Sequence, residues 1–320
     1  YIEVYIKVYI EVYIEVYIEV YIAKEQSLMA TDLNVLVQIP ALVGEGALWD
    51  EESQVLYWVD ILSNMLYCYD PATGENRSWD VGQHVGTVVL RESGGAMLAL
   101  RDGFASFDFD SGRVTMIADP EADRPGNRFN DGKCDPGGRF WAGTMAYQDQ
   151  STQGSLYRLD PDMSVHKMVG EIGISNGIVW NRTADTMYYI DSMAYTVRAF
   201  DYDNATGAIR NERVVVQVDQ GMGLPDGMAI DAEDMLWVAH FGGSCVRRWN
   251  PQTGTLLSQI DLPTAQITSC AFGGPNLDVL YITSAANGYG EADFAREPNA
   301  GNLFAAKPGV QGVHSFRFRG

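Results

Sequence analysis

Hydrophobic and polar positions along the chain fall in short runs rich in Val, Ile, Tyr, Phe and Trp, broken by Gly, Asn, Asp and Pro. Runs of that length and composition predict strands, not helix pairs. The strongest are VLYWVDI at 55–61, RFWAGTM at 139–145, TMYYIDS at 186–192, MLWVAHF at 235–241 and VLYITSA at 279–285, which read as innermost strands. Polar segments follow the next strand of most units: DPATGE at 70–75, DFDSGR at 108–113, DYDNATG at 201–207 and NPQTGT at 250–255. Asp or Asn opens each and Gly takes a position suited to positive φ, which is hairpin chemistry. Three further tripeptides, Asn130-Asp131-Gly132, Ser175-Asn176-Gly177 and Pro225-Asp226-Gly227, read as tight turns leading into successive strands.

Counting by these markers gives six units, beginning near Ala41, Gln83, Arg128, Ile172, Leu224 and Ile267. A repeat of roughly 40 to 50 residues built from strands indicates a propeller. The expected architecture is all-β, a six-bladed β-propeller of four-stranded antiparallel blades. Ring closure is expected to place the strand at 34–40 beside C-terminal strands at 302–306 and 314–318. Such closure protects the strand edges that an open array exposes.

The first 22 residues, YIEVYIKVYIEVYIEVYIEVYI, are different. A tandem tetrapeptide puts Ile and Val on one face of a ribbon and Tyr, Glu and Lys7 on the other. At about 3.3 Å per residue it would span roughly 70 Å, far beyond an ordinary strand. Residues 1–28 are therefore set aside as an engineered assembly or fusion segment with its linker, expected to self-associate through residues 1–22. Residues 29–320 form the folded domain, with Met29 as its expected start.

A formal net charge of −20 argues against nucleic acid and anionic membrane surfaces, both of which need a basic footprint. No run approaches the roughly 18 apolar residues of a membrane span. The four cysteines, Cys68, Cys134, Cys245 and Cys270, are scattered without a CxxC pair. They read as buried free thiols in a cytoplasmic protein.

Residues that precede the innermost strands of a propeller converge at the mouth of its channel. Here these are Glu45, Arg128, Asn130, Asp131, Asn176 and Asp226. Carboxylates and an amide with no Cys or His make a hard-oxygen set, which suits Ca²⁺, Mg²⁺ or Mn²⁺ before Zn²⁺. Asn-Gly and Asp-Gly are also ordinary turn sequences, so each alone has a structural reading. Glu45, between two glycines and before an apolar strand, serves no turn. Asp226 can double as the base that takes a proton from water. Arg128 can make a two-pronged contact to a substrate or hold a neighbouring carboxylate. His84, His166, His240 and His314 form no ligand set by spacing, and no G-x-S-x-G elbow, P-loop or dinucleotide fingerprint is present.

The stretches GEGALW, NRFNDGKCDPGGRFWAGTMA, ISNGIVW, PDGMAIDAEDMLWVA and SCAFGGPNLDVLYIT resemble the gluconolactonase family, which includes regucalcin (senescence marker protein) and luciferin-regenerating enzyme. The resemblance runs from about Gly44 to the C-terminus. It implies a six-bladed propeller holding one divalent cation (Ca²⁺, Mn²⁺, Mg²⁺ or Zn²⁺) at Glu45, Asn176 and Asp226, with Asp226 also the general base. It further implies that Arg128 and Asn130 contact a sugar lactone, that Asp131 lies beside them, and that Gln148 stands where relatives carry an acidic substrate contact. The expected activity is opening of a small-molecule sugar lactone to its aldonic acid. Hydrolysis of phosphotriesters at the same site, and a cation-binding propeller without turnover, are the alternatives.

Overall fold

Each sequence unit folds as four antiparallel strands, because turns of a few residues allow no crossover between them. The computed structural model describes residues 32–148 and 152–320. The repetitive segment 1–22, the expected linker to 28 and the expected start at Met29 lie outside the described residues. After β1 (Asn34–Val37), the first blade holds β2 (Gly44–Asp50), β3 (Val55–Asp60), β4 (Met65–Tyr69) and β5 (Asn76–Asp80). The second holds β6 (Val85–Leu90), β7 (Ala96–Leu100), β8 (Gly103–Phe107) and β9 (Val114–Ala118). The third holds β10 (Asn127–Cys134), β11 (Phe140–Ala146), β12 (Gly154–Leu159) and β13 (Val165–Ile172). The fourth holds β14 (Ser175–Trp180), β15 (Thr186–Asp191), β16 (Thr196–Asp203) and β17 (Ala208–Gln217). The fifth holds β18 (Leu224–Ile230), β19 (Leu236–Phe241), β20 (Cys245–Asn250) and β21 (Thr255–Asp261). The sixth begins with β22 (Ile267–Gly273) and β23 (Val279–Ser284), passes a short helix α1 (Glu291–Arg296), and continues with β24 (Leu303–Ala306). β1 pairs with β24 and supplies its fourth strand, so the ring is closed by the N-terminal strand as expected.

The polar segments lie between the third and fourth strands of their blades, as hairpin chemistry requires. In the first, Gly74 has φ 77° and donates its N–H to the Asp70 carbonyl at 2.8 Å. All four cysteines are buried and free. Among the described residues no helix is long and apolar enough to cross a membrane.

Three expectations need correction. The aromatic runs are the second strands of their blades, and the innermost are β2, β6, β10, β14, β18 and β22, whose neighbours around the ring touch one another. The reason is room. Trp58, Trp141, Tyr189 and Trp237 are buried among the strands of adjoining blades, whereas nearer the axis the innermost strands approach closely enough that several positions need glycine. A Cβ on Gly86 would stand 2.2 Å from the Asn130 carbonyl oxygen, and one on Gly177 would stand 2.5 Å from the Cβ of Met228.

The tripeptides at 130–132, 175–177 and 225–227 are not turns. They lie inside β10, β14 and β18, where the register with the second strand slips between Phe129 and Gly132, Asn176 and Ile178, and Pro225 and Met228. Corresponding slips in β2, β6 and β22 put a bulge in every innermost strand. A bulge re-aims the side chain it carries.

The segment 314–318 is not a strand of the closing blade. After β24 the chain crosses the channel end formed by the C-termini of the innermost strands. The Gln311 carbonyl accepts from Ala232, Gly312 donates to the Leu277 carbonyl, Phe318 donates to the Leu90 carbonyl at 2.8 Å and its carbonyl accepts from Glu92, and Arg319 donates to the Gly138 carbonyl. Arg317 pairs with Asp50 and Glu52. The alternation of Phe316 and Phe318 imitates a strand, but it seats Phe318 in the core between the second and third blades while Phe316 stays exposed. Phe318→Ala is expected to destabilise the protein by roughly 3–5 kcal/mol, the cost of truncating a buried aromatic. Thermal unfolding measures it, and an unchanged midpoint would show that the C-terminal strap does not hold the ring.

Candidate functional site

The bulges bring Glu45 from β2, Arg128, Asn130 and Asp131 from β10, Asn176 from β14 and Asp226 from β18 to one end of the channel. All six are buried. Glu45 accepts the N–H of Gly46 at 2.9 Å, and Asp131 accepts that of Gly132 at 2.7 Å. Arg128 donates through one Nη to Asn130 Oδ1 at 2.7 Å and to its neighbouring Phe129 carbonyl at 2.9 Å. Asn130 donates from Nδ2 to the Ser175 carbonyl at 2.8 Å, tying the third blade to the fourth. Its amide is thus held at both ends. Asn176 donates from Nδ2 to Ser192 Oγ at 2.9 Å.

Three buried carboxylates therefore share one small space. Burial, and then the charge of Asp131, pushes Glu45 up to about 8. Burial and the facing charge of Glu45 drive Asp226 well above the usual carboxylate range, with Asn176 beside it pulling the other way. Asp131 is also raised by burial, against the opposing charge of Lys133. Lys133 is lowered by burial and donates to the Met228 carbonyl at 2.9 Å. Arg128 is lowered by burial too, although Tyr147, Glu45 and Asp226 oppose that.

Among the described residues no three His, Cys, Asp or Glu side chains stand close enough to hold a metal ion by themselves. The set here is two carboxylates and an amide. Two of its oxygens, Asn176 Oδ1 and Asp226 Oδ1, are buried without a hydrogen-bond partner. Buried polar atoms without partners are costly, and a hard divalent cation is the partner that oxygens of this kind fit. The residues present are thus of the kind that could hold such a cation, through oxygens of Glu45, Asn176 and Asp226.

Cavities of about 370 Å³ beside the C-terminal strap and about 480 Å³ beside α1 are lined by none of these residues. A cavity of about 520 Å³ lies on the rim, walled by Asn127, Tyr147, Gln148 and their neighbours. Gln148 is exposed there. Tyr147, one residue earlier, lies against the site: the Arg128 guanidinium sits 5.8 Å from its ring, and its hydroxyl bonds His84 of the second blade. Lys133, Ser192, Tyr147 and His84 were not picked out by sequence reasoning. Only Lys133 carried a signal, standing two positions after Asp131 on the same strand.

The sequence model of the SMP-30/Gluconolactonase/LRE-like region matches residues 43–286. Regucalcin of Xenopus laevis is 41% identical over 284 residues, 87% of this chain and 95% of its own. YvrE of Bacillus subtilis, assigned by name as a sugar lactone lactonase, is 40% identical over 280 residues, 88% of this chain and 96% of its own. The crystal structure of a calcium-binding protein, regucalcin, from Agrobacterium tumefaciens is 28% identical. It superposes with a TM-score of 0.85 over 89% of this chain and 96% of that one.

The buried carboxylates give the cation-free protein a signed pH dependence. A carboxyl whose folded value is raised binds a proton in the fold that it releases on unfolding. Its penalty is absent below its ordinary value of 4.5, grows as pH rises, and is complete above about 8. Metal-stripped protein should therefore lose melting temperature across that window, less so in Glu45→Gln, and a divalent cation should abolish the loss. Identical slopes for both proteins would contradict this account of Glu45.

Proposed function

We propose that this chain, which belongs to the SMP-30/gluconolactonase/LRE-like family, is a divalent-cation-dependent hydrolase that opens sugar lactones to aldonic acids. The observation that carries the proposal is the pair of partnerless buried oxygens, Asn176 Oδ1 and Asp226 Oδ1, set beside Glu45. The lactonase assignment of YvrE supports the substrate class, and the calcium-binding regucalcin supports the cation.

Glu45, Asn176 and Asp226 would hold the cation. When bound there, a divalent cation would supply Lewis-acid polarisation of the lactone carbonyl and offset negative charge among buried residues. The remaining work falls to the chain. Asp226 would be the carboxylate that takes a proton from the attacking water. The water oxygen bonds to the carbonyl carbon, the ring C–O bond breaks, and the proton held by Asp226 goes to the departing alkoxide. Water and lactone together balance as the hydroxy acid. Arg128 has one Nη committed to Asn130 and Phe129, while its buried Nε–H has no partner and is available to a substrate oxygen. Asn130, held at both ends, sets the place of that guanidinium.

Asp226→Ala should lower kcat/KM on a panel of aldonolactones by about 10²–10⁴-fold, the contribution of a positioned base, or more where the cation is also lost. The panel is run after metal stripping and single-metal return, with a phosphotriester arm. Unchanged lactone turnover in Asp226→Ala would overturn the mechanism. Cation-dependent stabilisation with no turnover on any substrate would leave a cation-binding propeller in its place.

A further inference from the structure

We infer that Ser192, which is outside the ligand set, fixes which end of the Asn176 amide faces the cation. The inference rests on the cation-site reading given above. Ser192 follows β15 at the start of a single 3-10 turn, Ser192–Ala194, and is buried. Its hydroxyl donates to the Pro225 carbonyl at 2.6 Å and accepts from Asn176 Nδ2 at 2.9 Å.

A hydroxyl carries one proton, and a backbone carbonyl can only accept. With that proton committed to Pro225, the lone pair facing Asn176 can meet only a donor. The NH₂ end of the amide must therefore turn toward Ser192. The end left over is Oδ1, the atom that can ligate a hard cation, and it is the atom that is buried without a partner. The same hydroxyl joins Asn176 on β14 to the residue immediately before Asp226 on β18. One side chain thus sets the amide's orientation and the spacing of two ligands.

Without the hydroxyl, the amide is free about its terminal torsion, which is broad and roughly two-fold. An NH₂ group turned toward Asp226 would satisfy that carboxylate and present hydrogens where the cation belongs. Ser192 touches neither cation nor substrate and is a positioning residue.

The test is calorimetric titration of metal-stripped protein with Ca²⁺ or Mn²⁺ alone, with no substrate present. Ser192→Ala is expected to weaken cation binding by about 10–100-fold, the usual effect of losing a group that orients a ligand. Ser192→Thr, which keeps the hydroxyl, should restore most of it. Asn176→Asp removes the amide that needs orienting, so in that background Ser192→Ala should change affinity less than about threefold. Wild-type affinity in Ser192→Ala overturns the inference. So does an equal loss in the Asn176→Asp background, because Ser192 would then act through the fold. A wild-type protein that takes up neither ion overturns the cation site itself, and that failure shows in the unsubstituted arm.

Discussion

Everything at the functional end of this molecule follows from how closely six innermost strands approach around one axis. The approach is close enough that backbone meets backbone: the Asn130 carbonyl lies where a Cβ on Gly86 would stand, and Met228 where one on Gly177 would. Where the strands meet so closely the contacts fall on glycine and backbone, and the largest aromatic side chains of the second strands, such as Trp58, Trp141 and Trp237, are buried away from the axis. The innermost strands accommodate the crowding with a bulge apiece. Those bulges turn Glu45, Asp131, Asn176 and Asp226 toward a common centre.

Crowding also sets the electrostatics. Three carboxylates are buried together with Arg128 and Lys133 as neighbouring cationic groups, and the C-terminal strap crosses the far end of the channel. Carrying an ion into such surroundings costs several kcal/mol even after relaxation. Burial raises the Glu45, Asp226 and Asp131 carboxyls above their ordinary range, and neighbouring carboxylates add to the rise at Glu45 and Asp226. In the reading proposed above, a divalent cation would supply the positive charge that these carboxylates lack. The arrangement is thus an incomplete charge balance, held in place by strands that have no room to relax it.

The sequence carried the architecture well because propeller blades repeat: six units, their starting points and the hairpin glycines can be counted from turn chemistry alone. The convergence of Asn176 and Asp226 was legible because residues at one place in successive repeats share a rim, whereas Glu45 stood out only as an acidic residue between two glycines that serves no turn. The layer assignment failed because the polar and glycine residues of the innermost strands read as turns, while the more apolar second strands read as the innermost. Asn-Asp-Gly and Pro-Asp-Gly were misread as turns because a bulge and a hairpin turn call for the same residues. Ser192 could not be found at all. A serine after a strand is ordinary until its hydroxyl is seen between Asn176 and Pro225, contacts that depend on how two blades meet.

The most direct test of the central claim is an anomalous-difference map from crystals of metal-stripped protein soaked in Mn²⁺. The account predicts one strong peak in the channel, within bonding distance of carboxylate oxygens of Glu45 and Asp226 and of Oδ1, not Nδ2, of Asn176. A channel without a peak, or a peak held by other residues, would contradict it.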